Sequence, residues 1–500
     1  MDSEEDAKLR RFLFLVPTLL WCSFGWTQTP TLVQTVWGES TQNYNLGGWP
    51  GNPAPYYAIE FPEPTQAGNL LVCSAYSSQR PTFTVSDDQS ETWSNGGTNF
   101  PFVDTNGNSE FIFYVANNTG GVRQIKVKSN SNPGYVSVTC SEFYNVATSS
   151  PLDGTGNCNT VSNTILTGTA TGTLTNGDLI YSVSYSQSAA PSASFTAGSQ
   201  SNINWVLDGV DLIDGYAVQH GVYSATTSFT PQMTTGTTGS YTSCEVMFKS
   251  ASAGAAPTQS MRIVHLGHFS LPNSGTTQNI QMPSSGNLLV ASFTGGGDSI
   301  SGITSTPSNS WSSTGAVAGN PSITASSQIY YAGNASTATN ETLAISRTGA
   351  LSPDNVLVYD ITGASTSPFD VDSGGQTGNA TSPVSSFTTC TNCLTPSAAG
   401  EMVIINANQN WCTGTAVTAP SSALYDSAFT TMDSNDGPQP VDQNGEWAHF
   451  YNTNTSAITA TWTMTCDQAE APWAGRVAAF KGNQNQPQSP TGLKASVVPN

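Results

Sequence analysis

Apolar and polar residues are arranged along this chain in the pattern of short β-strands. Residues 124–128 alternate between polar and apolar, which predicts a half-exposed strand, and the apolar run 70–72 after Gly68 and Asn69 predicts a fully buried one. Such segments recur about every 8 to 15 residues, separated by Asn-Gly, Gly-Gly and Ser-Asn turns. Past the N-terminus no segment shows the apolar repeat of about 3.6 residues that marks an amphipathic helix. The pattern therefore predicts an all-β protein.

The strand pattern occurs twice, as an internal sequence repeat. Residues 68–72 return as 286–290, about 220 residues later, and further landmarks keep nearly this offset. These pairs are 92–94 with 310–312, 114–117 with 331–334, and 150–153 with 367–370. A fainter echo at 177–181 and 400–404 indicates that each repeat has two similar halves. The repeats predict two domains, residues 30–252 and 258–483.

Each repeat is expected to form a β-sandwich. A chain of 500 residues exceeds what one hydrophobic core supports, and many short strands with turn residues between them are typical of two-layer, antiparallel sheets. Only 9% of the residues are charged, so the Lys and Glu that coat soluble helices are scarce. The predicted fold is two tandem jelly-roll-like antiparallel β-sandwich domains.

Residues 1–26 have the features of a secretory signal peptide. Lys8, Arg10 and Arg11 precede the apolar stretch 12–21, and small residues precede Trp26. The stretch is shorter than the about 20 residues of a membrane-spanning helix, and a retained anchor is the alternative interpretation. We expect a secreted, extracellular or cell-surface protein with no integral membrane segment after cleavage.

The charge is strongly acidic, with 33 Asp and Glu against 13 Lys and Arg. Without a basic stripe to neutralise phosphates, nucleic acid is excluded as a partner. The charge serves solubility or, alternatively, calcium binding. Two loops place oxygen side chains around a glycine as a hard cation requires, although the same residue types also build hairpin turns. The calcium candidates are Asp104, Asn106, Asn108 and Glu110 in the first loop and Asp442, Asn444 and Glu446 in the second.

Eight cysteines follow the signal peptide and divide evenly between the repeats. They are Cys73, Cys140, Cys158 and Cys244 in the first repeat and Cys390, Cys393, Cys412 and Cys466 in the second. In an oxidising compartment this even division predicts disulfides within each domain, but three pairings are open in each. The Cys-x-x-Cys spacing at 390–393 also occurs in redox and zinc sites, although neither further ligands nor a helical context accompany it here.

No catalytic set is evident. His265 and His268 would point to opposite faces of a strand, and no Gly-x-Ser-x-Gly motif is present. A pair of carboxylates, as in glycoside hydrolases, is the enzymatic alternative. The repeated acids Asp153 and Asp370 have no second acid recurring beside them on an alternating strand, so we expect them to cap turns.

Three tryptophans lack a counterpart in the other repeat and stand among polar residues. Trp411, Trp447 and Trp473 are therefore candidates for a ligand-binding surface on which sugars stack. Local packing is the alternative interpretation for each of them.

The end of the chain carries a resemblance to a known family. After a polar linker, residues 484–490, the sequence Ser-Pro-Thr-Gly-Leu-Lys-Ala-Ser-Val-Val at 489–498 resembles the first strand of a fibronectin type III domain. The resemblance implies that such a domain begins within 491–500. The two large repeats resemble sandwich repeats of bacterial secreted and surface proteins.

These features together predict a non-catalytic extracellular binding or adhesion protein. Its expected ligand is a polysaccharide or a cell-surface component. One alternative is a carbohydrate-binding or polysaccharide-degrading protein, since fibronectin-like modules commonly accompany such proteins. The other is a structural surface or matrix spacer.

Overall fold

The architecture is that of a computed structural model. It describes residues 29–40, 56–78, 81–130, 136–167, 177–187, 195–200, 202–212, 215–224, 232–256, 261–271, 277–296, 299–320, 325–348, 354–381, 384–410, 417–418, 424–428, 443–452, 454–465 and 470–483. The predicted signal peptide 1–26, linker 484–490 and fibronectin-like start 491–500 lie outside the described residues.

Within the described ranges the regular elements are all β-strands, which fall into four groups along the chain. Group 1 consists of β1 (Thr31–Ser40), β2 (Tyr56–Glu60), β3 (Leu70–Ser77), β4 (Phe83–Asp87), β5 (Ser94–Asn95), β6 (Phe102–Val103), β7 (Ser109–Val115), β8 (Gln124–Ser129) and β9 (Val136–Tyr144). Group 2 consists of β10 (Asn157–Thr167), β11 (Leu179–Ser186), β12 (Phe195–Thr196), β13 (Ile203–Asp211), β14 (Tyr216–Tyr223) and β15 (Gln232–Phe248).

The other two groups belong to the second sequence repeat. Group 3 consists of β16 (Arg262–Leu271), β17 (Thr277–Ser284), β18 (Leu288–Gly295), β19 (Ile300–Thr306), β20 (Trp311–Ser313), β21 (Ala318–Asn320), β22 (Ala325–Gly333), β23 (Ala338–Arg347) and β24 (Asp354–Thr362). Group 4 consists of β25 (Ala364–Asp372), β26 (Gln376–Thr381), β27 (Val384–Leu394), β28 (Met402–Asn410), β29 (Val417–Thr418), β30 (Leu424–Ala428), β31 (Gln443–Tyr451), β32 (Ile458–Thr465) and β33 (Glu470–Gly482).

Two 12-stranded sheets run through both repeats. One joins group 4 to group 1 in the order β25-β33-β28-β31-β30-β1-β9-β3-β7-β5, with β26 also paired to β33 and β6 to β7. The other joins group 2 to group 3 in the order β10-β15-β11-β14-β13-β16-β24-β18-β22-β20, with β12 also paired to β15 and β21 to β22. The joints are the parallel pairs β1 with β30 and β13 with β16, whereas the pairs inside each group are antiparallel. Each large sheet therefore contains one half of each repeat.

The strand order repeats as the sequence does. The order β1-β9-β3-β7-β5 in group 1 returns as β16-β24-β18-β22-β20 in group 3, and the small sheet β2-β8-β4 returns as β17-β23-β19. Groups 2 and 4 correspond in the same way, and group 4 carries a third small sheet, β27-β32-β29. The prediction of an all-β fold made of layered, largely antiparallel sheets is confirmed, whereas the jelly-roll connectivity stays a prediction.

The main core lies between the two large sheets. Leu70, Tyr181, Leu288 and Ile404, one from each group, belong to a single buried cluster. A second layer of apolar residues, including Phe61 and Val127, fills the space under the small sheet β2-β8-β4. The strands β3, β11 and β18 are buried at every position because both of their faces are covered, which explains why each begins with consecutive apolar residues and why its remaining polar residues are small.

The polar residue of the recurring Gly-polar-apolar motif holds the chain where it leaves each repeat half. Asn69 Oδ1 accepts a hydrogen bond from the Ala255 N–H at 3.0 Å, and its counterpart Asn287 accepts one from Ala364 N–H at 3.0 Å. The preceding Gly68 has φ +85°, a left-handed conformation that favours glycine. The motif thus encodes both a turn and an anchor for a distant segment.

Two disulfides form across neighbouring strands of the first repeat. Cys73 of β3 is bonded to Cys140 of β9, and Cys158 of β10 is bonded to Cys244 of β15. The predicted disulfide bonding of these four cysteines is confirmed, and the pairing is now resolved. Cys393 is disulfide-bonded as well. Cys412, Cys466 and the side chain of Cys390 lie outside the described part of the chain.

Candidate functional site

Two of the three candidate ligand-binding tryptophans are core residues. Trp447 of β31 is completely buried, its Nε1 donates to the Ser292 carbonyl of the opposite sheet at 3.0 Å, and its ring contacts His268. Trp473 of β33 is buried against Gly378, where an added Cβ would lie 2.8 Å from the indole. The prediction that these two rings form a ligand platform is therefore corrected, since sugar stacking needs an exposed ring face. Trp411 lies outside the described residues.

The first calcium candidate loop is a self-capped turn. Asp104 Oδ1 accepts hydrogen bonds from the backbone N–H groups of Asn106 and Asn108 at 2.8 and 2.9 Å, and Oδ2 accepts one from Asn108 Nδ2 at 2.9 Å. Asn106 Nδ2 donates outward to the Gln187 carbonyl at 3.0 Å. The oxygens expected to face a cation are thus engaged with the protein's own donors.

Glu110, the fourth candidate ligand, is fully buried on β7. Burial raises its pKa well above the usual value, which favours the neutral acid over the carboxylate that calcium requires. In the described part of the chain, no three His, Cys, Asp or Glu side chains come together as a metal site would need. Calcium binding at Asp442, Asn444 and Glu446 stays a prediction, because Asp442 and the side chains of Asn444 and Glu446 lie outside the described residues.

We expect Asp104→Asn to leave any calcium response of the protein unchanged. Asparagine keeps an oxygen that can accept the two backbone hydrogen bonds but removes the charge, so the cost should stay near about 1 kcal/mol. Thermal unfolding with calcium and with a chelator, on both proteins, checks this. A calcium-dependent shift in Tm that disappears in the variant would show that calcium binds at this loop.

A Ser, His and Asp cluster that the sequence did not reveal lies at the start of β18. His265 Nε2 is 3.1 Å from Ser285 Oγ and 3.6 Å from Asp360 Oδ2, while Asp360 accepts the backbone N–H groups of Ser285 and Gly286 at 2.6 and 2.9 Å. Burial lowers the pKa of His265 to about 3 and raises that of Asp360 to about 7. At neutral pH the His265 imidazole is therefore uncharged.

The first repeat shows what this cluster does. At the corresponding place Glu142 accepts hydrogen bonds from the Gln66 N–H at 2.7 Å and from Gln34 Nε2 at 2.8 Å. Gln34 and Glu142 are opposite each other in the β1–β9 ladder, as His265 and Asp360 are in β16–β24. Because glutamine replaces histidine without loss of the arrangement, the cluster holds the turn before the buried strand in both repeats.

This equivalence predicts that His265→Gln removes a loss of unfolding free energy that the histidine causes at acidic pH. A histidine whose folded pKa is about 3 stays neutral in the folded state, while it takes up a proton in the unfolded state below about pH 6.5. Its contribution therefore destabilises the protein as pH falls from 6.5 towards 3. When the pH is lowered from 8 to 5, the unfolding free energy of the unchanged protein should therefore fall by about 2 kcal/mol more than that of the variant. Urea unfolding at both pH values measures this difference, and parallel pH dependences would contradict it.

An acid–lysine cluster, formed by Asp370, Glu401 and Lys481, joins three neighbouring strands of group 4. Lys481 Nζ is 2.8 Å from Asp370 Oδ1, and Asp370 Oδ2 accepts the Ser397 N–H at 2.7 Å. Glu401 hydrogen-bonds to Asp370, and burial together with that neighbouring acid raises the pKa of Glu401 to about 7. The second acid beside Asp370 does not come from an alternating pattern on the same strand, because Glu401 reaches Asp370 from the far side of β33.

The repeat in the sequence contains a signal for this cluster. All three residue positions recur, as Asp153, Asp178 and Lys249 in the first repeat. Asp370 itself lies within β25 and accepts a hydrogen bond from the N–H of Ser397, 27 residues away, so it holds a distant segment and does not cap a turn of its own. In the first repeat Lys249 Nζ donates to the Ser150 carbonyl at 3.2 Å, and Asp178 accepts the Ser250 N–H at 3.1 Å.

Comparisons with known proteins add no functional information. A scan against protein-family models found no match, and a search of curated proteins found none either. A solved structure of the Faustovirus major capsid protein aligns over 96% of this chain and 94% of that chain at 8% identity, but its TM-score of 0.11 supports no argument about fold or function. Within the described residues no helix is long and apolar enough to cross a membrane.

Proposed function

We propose that this chain is a non-catalytic extracellular protein whose tandem sandwich repeats display a polar binding surface. The observation that supports the proposal is that the candidate chemical groups among the described residues are buried. Trp447, Glu110 and the His265–Asp360 pair are buried and serve the fold. Binding is therefore assigned to the exposed loops, and hydrolysis by a carboxylate pair across a groove has no support among these buried groups.

The exposed loops favour a ligand that is bound through hydrogen bonds. Around β5 the exposed side chains include those of Thr92, Ser94, Asn95 and Thr98, which are neutral donors and acceptors. The exposed large apolar residues among those described are Val103 and Val317, which stand singly. A neutral hydroxyl- and amide-rich surface suits a polysaccharide or a cell-surface glycan better than an apolar protein partner.

Secretion is part of the proposal. The two disulfides support it, because such bonds form and persist in oxidising compartments, and so does the signal-peptide pattern at residues 1–26. The absence of a basic stripe keeps nucleic acid outside the proposed partners.

A structural spacer is the second candidate, and the sheet topology favours it. Both 12-stranded sheets continue from one repeat into the other through β1–β30 and β13–β16. Two repeats that share their sheets are joined by strand pairing as well as by the chain. Repeats joined in this way suit a load-bearing or spacing role.

Retention on a panel of insoluble and soluble polysaccharides, with and without calcium, tests the proposal. The purified chain should be retained without releasing sugar. Release of sugar would overturn the non-catalytic assignment, and lack of retention on every polysaccharide would favour the spacer. A matched variant, Thr92→Ala with Ser94→Ala, removes exposed hydroxyl groups and leaves the core intact, so it separates surface binding from loss of fold.

A further inference from the structure

The acid–lysine cluster holds an amine against a carboxyl group that is itself in contact with a second carboxyl. The side chain of Asp370 is only 5% exposed, and Glu401 is completely buried. Phe369 and Phe480, which precede Asp370 and Lys481 in their strands, pack with Tyr331 in the main core, where the Tyr331 and Phe369 rings are stacked at 5.3 Å. The two acids differ in protonation: burial and the neighbouring Asp370 raise the pKa of Glu401 to about 7, whereas for Asp370 the hydrogen bonds from Lys481 and Ser397 outweigh burial and lower the pKa.

We propose that Lys481 and Asp370 condense into an amide bond that covalently links the last strand of group 4, β33, to the first strand of that group, β25. Glu401 is the group that carries the proton during this reaction. The bond would close group 4 into a covalent loop, as the Cys158–Cys244 disulfide between β10 and β15 does for group 2. This modification is independent of the proposed binding function.

The reaction balances without any other reactant. The Lys481 ammonium passes one proton to the Asp370 carboxylate, which gives a neutral amine and a neutral acid. The Nζ lone pair then attacks Cγ of Asp370, and Glu401 moves a proton from that nitrogen to one carboxyl oxygen. The C–O bond breaks and that oxygen leaves as water. One ammonium and one carboxylate become one amide and one water, and Glu401 ends in the state in which it began.

The fold supplies what this condensation lacks in free solution. Holding two groups in contact replaces the concentration of a second reactant with an effective molarity of about 10⁵ to 10⁸ M. The contact is set by the β25–β33 ladder, in which Phe369 is opposite Phe480, the residues that precede Asp370 and Lys481. A neutral Glu401 is populated near pH 7 because its pKa is raised to about 7. The Lys481 side chain is 37% exposed, which leaves a path for the released water.

The first repeat provides an internal control. Its corresponding lysine, Lys249, donates to the Ser150 carbonyl oxygen at 3.2 Å, which is not an electrophilic acid. We therefore expect one amide cross-link per chain, in the second repeat, and not two.

Intact-mass measurement of the reduced, purified chain tests the proposal. One amide bond lowers the mass by about 18 Da, the water lost. Trypsin provides a second readout, since it cleaves after free lysine: the peptide 477–481 between Arg476 and Lys481 should be absent from the digest. A full sequence mass together with release of peptide 477–481 would overturn the proposal.

Variants separate the cross-link from an ordinary ion pair. Glu401→Gln keeps the size of the side chain but cannot carry a proton, and Lys481→Arg keeps the charge but is not a nucleophile. Both should regain the full mass while staying folded by circular dichroism. Lys249→Arg, the matched control in the first repeat, should still lack about one water of mass. Loss of the mass difference in Lys249→Arg, or its persistence in Lys481→Arg, would also contradict the assignment.

Discussion

Replacing Cys73 and Cys140 by alanine is expected to lower the unfolding free energy of the first repeat by about 4 kcal/mol. The bond closes a loop with a sequence separation of 67 residues. Without it, the unfolded chain regains the freedom that this loop removes. The Cys158–Cys244 bond, with a separation of 86, should contribute nearly the same amount, because the loop entropy grows only with the logarithm of length.

Urea unfolding followed by tryptophan fluorescence checks both values. The loops 73–140 and 158–244 do not overlap, so the losses in the variant without either bond should add. Single replacement of Cys73 is a poor control because it frees a buried thiol, and the paired replacement avoids this. A loss below about 1 kcal/mol for either pair would mean that the β3–β9 or β10–β15 ladder persists in the unfolded state.

The fold class was predictable from sequence because strand period and repetition are local signals. The runs after Gly68 and Gly286 begin strands β3 and β18, which are buried throughout, and the alternation at 124–128 lies in β8, where Ile125 and Val127 are buried. The joining of the repeats was not predictable. The parallel pairs β1–β30 and β13–β16 bring together residues that are distant in sequence and carry no motif of their own.

The site predictions failed where sequence context was taken for spatial context. Polar neighbours around Trp447 indicated a loop, but Trp447 lies in strand β31 and its ring is completely buried. Asp370, Glu401 and Lys481 show the converse. They recur in the sequence, but they meet because β33 lies between β25 and β28 in the sheet. Repetition identified the residues, whereas only the strand order could identify the contact.

Trp447→Ala is expected to lower the unfolding free energy by about 3 to 5 kcal/mol, the usual cost of deleting a buried aromatic ring. The indole lies where the two large sheets meet, with the His268 ring 5.5 Å away and the Ser292 carbonyl accepting its N–H. Removing it leaves a cavity between the sheets and a carbonyl without this donor. Trp447→Phe keeps most of the apolar ring and should cost only about 1 to 2 kcal/mol.

Two measurements on the same variants separate core packing from ligand binding. Chemical unfolding reports the stability, and retention on polysaccharides at a temperature where both proteins are folded reports binding. Trp93→Ala is the matched control, because Trp93 is half-buried and donates to Asp87 Oδ2 at 2.6 Å outside the main core. It should cost less than Trp447→Ala. If Trp447→Ala kept its stability and lost retention, Trp447 would be a binding residue. The complete burial of its ring predicts the opposite result, since a side chain without exposed surface contributes to binding only through the stability of the sheets that enclose it.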